Sequence, residues 1–217
     1  MTPLVRDFNM RMGLGTLHDN NNVGRPIRDL EDGSSRDILT SRIVNIDSRF
    51  NTPLRQRLRA AGRYYAGSLA GSDGLGFVEG SPILPEADGG MCQQNFTMLL
   101  SDGFWNGPGP GVGNDDGDNT SPYDGRSYAD GFSNTLADVA MQFYEADLSP
   151  LDNVVPVSDS RDDKNPAQHM VTYTVSFGLN GTLAGPPPNF DDPFVWPEPL
   201  SNQATTADDM LHAAWNG

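Results

Sequence analysis

Apolar positions along this chain recur in runs that switch between strand spacing and helix spacing. Met10, Met12, Leu14 and Leu17 lie in an extended run, NMRMGLGTLHD, and a second short run, GRPIRDL, follows the turn-forming DNNNVG; together they predict a hairpin. Residues 34–48, SSRDILTSRIVNIDS, open on a capping serine. They place Ile38, Leu39, Ile43 and Ile46 at spacings near three and four, an amphipathic helix with Arg36 and Arg42 on its polar face. In NTPLRQRLRAAGRYYAG, Thr52 is the expected N-cap and Pro53 the first helical residue, where its missing N–H is harmless. Leu54, Leu58, Ala61 and Tyr65 continue one face of that helix as far as Gly67. FTMLLS is the most apolar strand candidate and reads as buried on both faces, a central parallel strand. Residues 133–148 place Leu136, Val139, Ala140, Phe143 and Tyr144 at helical spacing, the clearest helix of the chain. HMVTYTVSFGLNG, rich in β-branched and aromatic residues, reads as a further strand, and TTADDMLHAAW as a short terminal helix. Helices alternating with apolar strands predict an α/β sandwich around a mostly parallel sheet.

Composition adds loops and charge to this picture. The 217 residues fit one domain of ordinary size, and the 24 Gly and 17 Pro cluster in residues 67–91, 103–131 and 180–202, which read as long loop insertions. The net charge of −15 is uneven: residues 1–66 hold 11 Arg against 7 acidic side chains, and the remainder holds 3 basic against 22 acidic ones. Such a surface repels phosphate backbones and favours solubility or cation binding. Cys92 is the sole cysteine, which excludes an internal disulfide and fits no zinc spacing. No apolar run approaches 18 residues and no basic-then-apolar stretch opens the chain, so neither a membrane span nor a signal peptide is expected.

The candidate chemistry lies where FTMLLS runs into Ser101, Asp102 and Gly103. Loops converge at the carboxyl ends of strands in open α/β sheets, and a carboxylate there is fixed by the sheet while its oxygens face outward. Thr52, just ahead of a helix, is placed to reach the same edge with its hydroxyl, and a carboxylate with a hydroxyl suits a hard divalent cation. Read more plainly, Asp102 caps a turn and Thr52 caps a helix. The segment GNDDGDNTSPYDGRSYADG carries Asp115, Asp116, Asp118, Asp124 and Asp130. An EF-hand spacing fails there, since Thr120 and Ser121 stand where an acidic residue and glycine are needed; Asp115, Asp116 and Asp118 remain candidate calcium ligands in an otherwise solvated loop. Asp138 falls on an apolar helix face and needs donors from a neighbouring loop. His169 and His212 have no nucleophile at catalytic spacing and read as structural. Phe104 and Trp105 either pack over the rim or cover a satellite cluster.

The order GLGTLHDN, GRPIRDL, NTPLRQRLRAAGRYYAG, NFTMLLSDGFWN resembles a von Willebrand factor A domain, in which a threonine before a helix and an aspartate ending a strand belong to a metal-ion-dependent adhesion site. CQQNFTMLLSDGFWNG, YADGFSNTLADVAMQFYEADLSPLDNVVP, NPAQHMVTYTVSFGLNG and DDMLHAAWNG resemble the A domain of PilY/PilC-type proteins of type IV pili, adhesins and biogenesis factors associated with the pilus tip. The resemblance implies a Rossmann-like, three-layer α/β sandwich. It departs from the family pattern at its start: no Asp-x-Ser-x-Ser strand precedes the hairpin, MTPLVRDF reads as the tail of the first helix, and the DGSS at 32–35 and SDS at 158–160 are out of place. The first, central strand and first helix are therefore expected to be missing. Residues 206–217 are expected to begin a link to a further C-terminal domain, so the chain reads as part of a larger protein.

By this resemblance the chain is a non-enzymatic adhesion or assembly module, pilus-associated or periplasmic, that meets a pilus or host-surface protein at the sheet edge. Thr52 and Asp102 would hold Mg2+ or Ca2+ only weakly there, through water, because three of the usual contributors are missing. Strands left without a neighbour are expected to cost about 1–3 kcal/mol per unsatisfied buried group, a deficit that pairing of two copies would relieve. The alternatives are a metal-dependent hydrolase using Asp102 and acidic-loop carboxylates, and a calcium-stabilised structural domain.

Overall fold

The computed structural model describes residues 10–18, 22–46, 51–157 and 163–217. Its architecture is mixed α/β, with two small sheets in place of one continuous sheet. Strand β1 (Arg11–Leu14) pairs antiparallel with β2 (Arg25–Asp29), so the expected hairpin forms. Strand β3 (Asn95–Ser101) pairs in parallel with β4 (Met170–Ser176), in register from Asn95 opposite Met170 to Ser101 opposite Ser176. No described strand joins the two pairs, so β3 is an edge strand here and not a central one.

What links the sheets is a helix. Helix α2 (Leu54–Tyr65) ends in two tyrosines whose hydroxyls reach opposite ways. Tyr64 Oη accepts from the Ile27 N–H of β2 at 3.1 Å, and Tyr65 Oη donates to the Phe96 carbonyl of β3 at 2.9 Å. Each bond occupies a backbone group that a bridging strand would otherwise pair, which reduces the expected deficit of unpaired ladder groups.

Helices α2, α3 (Leu136–Glu145) and α4 (Thr205–Asn216) pack on one face of β3 and β4. Leu54, Leu58, Leu99, Trp105, Leu136, Val139, Phe143, Met170 and Met210 form the main core between them. The crossing of α2 and α3 is close enough that a Cβ on Gly62 would lie 2.2 Å from the Phe143 ring. The opposite face of the parallel pair is open. Phe96 and Met98 are about half exposed, as are Tyr173 and Phe177, and no described helix covers them. FTMLLS is therefore buried on one face only, and the described residues form two layers where three were expected. The segments MTPLVRDF and SDS at 158–160 fall outside the described residues.

Two helix starts differ from expectation. Helix α1 (Gly33–Val44) is capped by Asp32, whose carboxylate accepts from Ser34 N, and not by a serine. Its arginines fold back on the hairpin, Arg36 donating to the Leu30 carbonyl and Arg42 to that of Gly24, while Ile38 and Ile46 stay exposed. Helix α2 starts at Leu54 with Pro53 at the cap position, and the Thr52 side chain makes no capping bond. That leaves the Thr52 hydroxyl free for the sheet edge. The insertions at 67–91, 103–131 and 180–202 are ordered loops, the first containing short 3-10 turns at Gly71–Asp73 and Glu86–Asp88.

Candidate metal centre

The rim at the carboxyl end of β3 is assembled from three loops. The Thr52 N–H donates to Asn106 Oδ1 at 2.9 Å, and the Thr52 carbonyl accepts from Asn106 N at 3.0 Å. Asn106 also donates to Asn202, whose own N–H bonds the Trp105 carbonyl. These bonds bring Thr52 beside the strand end: its Oγ1 lies 3.2 Å from where a Cβ on Gly103 would stand. A side chain at 103 would press on that hydroxyl. Ser101 Oγ bonds the Gly103 N–H and tightens the turn, leaving Asp102 exposed. The structure thus places Thr52 beside Gly103, next in sequence to Asp102. One hydroxyl and one carboxylate hold a hard cation only when water or a partner's carboxylate completes its coordination sphere.

Under the rim, Trp105 is buried in the main core and does not sit over the site. Its Nε1–H donates to Asp209 Oδ2 at 2.7 Å, and the Arg55 guanidinium stacks on its ring at 3.7 Å while donating to the Gly107 and Asn134 carbonyls. Asp209, from α4, also accepts the first N–H groups of α3, Leu136 at 2.9 Å and Ala137 at 3.2 Å. A carboxylate at a helix N-terminus is electrostatically favoured. Burial nevertheless pushes Asp209 up to about 6, outweighing these donors and His212. Asp209 is missing from the sequence reading; the signal present was an Asp-Asp pair inside an apolar terminal helix.

The acidic loop is built differently from the sequence expectation of one site. Asp115 and Asp116 are consecutive yet serve separate groups. Asp116 is fully buried among Asp130, His212 and Asn216, which stitch the loop to α4. Its Oδ1 accepts from Asp130 N at 3.1 Å and its Oδ2 from Asn216 Nδ2 at 2.9 Å. His212 Nε2 bonds the Tyr128 carbonyl at 2.6 Å, its ring stacks on Trp196 at 3.9 Å, and its Nδ1 lies 3.5 Å from Asp130 Oδ2. Asp116, Asp130 and His212 have the proximity of a metal triad, with ligand atoms all within 4.8 Å. Protein donors take one position on each Asp116 oxygen, and each oxygen keeps a further lone pair. Burial, then Asp138 and Asp130, push Asp116 up to about 9. Asp138 behaves as its place on an apolar face requires. Its Oδ2 accepts from Thr135 N and Oγ1 at 2.8 Å in a capping box, and its Oδ1 accepts from Asp115 N at 2.7 Å.

Asp115 faces the other way. Burial raises it to about 7, followed by the charges of Glu145, Asp118, Asp138 and Asp124. Of the three sequence candidates, Asp118 is among the charges that raise Asp115, and Asp116 bonds Asp130 and Asn216. His169 is structural, bonded to the Ala167 carbonyl at 2.7 Å and edge-on to Tyr144.

No described helix is long and apolar enough to cross a membrane. No family model matches the chain, and no solved structure matches it significantly. Curated proteins do match. The chain is 30% identical over 246 residues to the type IV pilus biogenesis factor PilY1 of Pseudomonas aeruginosa strain PAK, covering 98% of this chain and 20% of that protein. It is 31% identical over 198 residues to PilY1 of strain PAO1, covering 76% of this chain and 17% of that protein. The chain is thus homologous to a segment of the type IV pilus biogenesis factors PilY1, and spans about a fifth of their length or less.

Proposed function

We propose that this chain is a non-enzymatic adhesion or assembly module of a type IV pilus biogenesis protein. In this reading it is a von Willebrand factor A-like unit, displayed on the pilus or at the cell surface, that binds a protein partner at the carboxyl edge of β3. The observation that carries the reading is the match to PilY1 across 98% of the chain. The rim is compatible with it, because the Thr52 hydroxyl lies beside Gly103, the residue that follows exposed Asp102. Where Mg2+ or Ca2+ contributes, those two residues hold it and a carboxylate of the partner completes the coordination sphere. Pairing of two copies through β3, which has no described neighbour on one edge, belongs to the same reading; sedimentation as a folded monomer at all concentrations rules that part out.

The test is an in-frame deletion of residues 10–217 from the native gene of a piliated strain, with surface pili counted by electron microscopy and attached cells counted on a surface. Loss of pili or of attachment is expected. Wild-type numbers of both would refute the proposal.

A further inference from the structure

Where the acidic loop meets α4, negative charge is buried without a matching cation. The side chains of Asp116, Asp130 and His212 are 0%, 4% and 2% exposed, and the imidazole stands between the two carboxylates. Asp116 Oδ2 is 3.5 Å from its Nε2, and Asp130 Oδ2 is 3.5 Å from its Nδ1. Among the described residues, the ion pairs of lysine and arginine go elsewhere and none reaches Asp116 or Asp130. Two carboxylates beside a neutral imidazole, out of water, are unstable unless protons or a cation offset them.

The imidazole is set as a ligand. A backbone carbonyl can only accept, so the 2.6 Å bond between His212 and the Tyr128 carbonyl puts the ring hydrogen on Nε2. In a neutral ring the Nδ1 lone pair then faces Asp130 Oδ2, two acceptors with no proton between them. A metal-bound histidine gives its other ring N–H to a carbonyl or carboxylate, which fixes tautomer and orientation. Trp196 holds the ring further, stacked on it at 3.9 Å and anchored by its own N–H to the Ser127 carbonyl at 2.9 Å. The 3.5 Å from Nδ1 to Asp130 Oδ2 matches the separation of two ligands in a tetrahedral shell with bonds of about 2.1 Å, which is about 3.4 Å. Asn216, only 2% exposed, adds a second sign of an unfilled site: its Nδ2 bonds Asp116 Oδ2 at 2.9 Å, yet its Oδ1 meets no donor. A shallow crevice beside Trp196, Pro197 and Pro199 reaches Asp130 and His212, so an ion has a path in.

We propose that Asp116, Asp130 and His212, whose ligand atoms all lie within 4.8 Å of one another, bind a zinc-class divalent cation that pins the acidic loop to α4. One imidazole nitrogen with two carboxylate oxygens suits Zn2+, whereas Ca2+ takes oxygen ligands. The site is separate from the rim of Thr52 and Asp102 and does not depend on the pilus reading. Its role is structural. Asp116 and Asp130 stand 14 residues apart in the loop, so one ion offsets both carboxylates and clamps both points of the loop to the same helix.

Zinc uptake by the full chain tests this. The chain, stripped with chelator and labelled with 15N in its histidines, is titrated with Zn2+ and followed by calorimetry and by the ring 15N resonances. Saturation at one ion per chain is expected, with the His212 Nδ1 resonance shifting while Nε2 keeps its hydrogen. A hundredfold excess of Zn2+ over its dissociation constant should raise the thermal midpoint by roughly 5–10 °C. Asp130→Asn and His212→Gln should each weaken Zn2+ at least tenfold, whereas His18→Gln and Asp102→Ala should leave it unchanged. Where a substitution unfolds the chain, the resonances of the parent decide alone. No zinc uptake by the stripped parent would overturn the proposal, and hydrogens on both His212 nitrogens would then identify protons as what offsets the carboxylates. Unchanged affinity in folded Asp130→Asn and His212→Gln, displacement of Zn2+ by equimolar Ca2+, or loss of binding in His18→Gln would overturn it as well.

Discussion

Replacing Asp209 with alanine should be among the most damaging single changes in this chain, and the size of the effect follows from its three donors. Trp105 Nε1–H, Leu136 N–H and Ala137 N–H all point at this one buried carboxylate. Without it they are left unpaired in the core at about 1–3 kcal/mol each. Removing the carboxylate also relieves its own desolvation, so the net loss falls in the lower half of that range, about 3–6 kcal/mol, against a typical stability of about 5–15 kcal/mol. Asp209→Asn is the informative partner. Its amide oxygen can keep Leu136 and Ala137 while its NH2 turns against the indole N–H, for a loss of about 1–3 kcal/mol. Urea unfolding of both variants, followed by tryptophan fluorescence and far-UV circular dichroism at fixed calcium, reads these differences. An alanine variant within 1 kcal/mol of the parent, or an asparagine variant as damaged as the alanine one, would refute the view that Asp209 joins rim, α3 and α4 through these bonds.

Further consequences are equally specific. Gly62→Ala should cost about 1–3 kcal/mol in the same urea assay, because its Cβ would meet the Phe143 ring at 2.2 Å where α2 crosses α3; an unchanged midpoint would contradict that close approach. Asp209, pushed up to about 6 from a usual value near 4, holds its proton more tightly folded than unfolded, so its contribution is full below about pH 4 and is lost as pH rises through about 6. About two pKa units correspond to about 3 kcal/mol, so the stability gap between the parent and Asp209→Asn should widen by up to that amount between pH 7 and pH 4; parallel pH profiles would count against it. Met98→Lys, on the open sheet face, should leave stability within about 0.5 kcal/mol, and a large loss would mean that this face is covered in solution.

Periodicity made most of the elements legible. The hairpin, both parallel strands and all four helices lie where the apolar spacing places them, although the first helix buries Leu39 and leaves Ile38 and Ile46 exposed. What the spacing did not reveal was set by distant partners. FTMLLS looked buried on both sides since Phe96 and Met98 are apolar, but composition cannot show that no described element packs on that face. Thr52 looked like a helix cap by its place before Pro53; the Asn106 side chain takes its N–H instead, and the hydroxyl is freed toward Gly103. In the acidic loop the sequence proposed neighbours, Asp115, Asp116 and Asp118. The charges that act on Asp115 come from Asp118 and Asp124 in the loop and from Glu145, thirty residues on in another element. A spacing rule for contiguous loops has no means of finding that last residue.

The claim on which the functional account rests is that the rim marked by Thr52 and Asp102 is a binding surface for a type IV pilus component. Immobilised chain exposed to purified type IV pili, with bound fibre measured against concentration, tests it most directly, using Asp102→Ala and Thr52→Ala variants whose thermal unfolding matches the parent. The account predicts saturable binding that either substitution weakens at least tenfold. Absence of binding by the parent, or full binding by both variants, would contradict it.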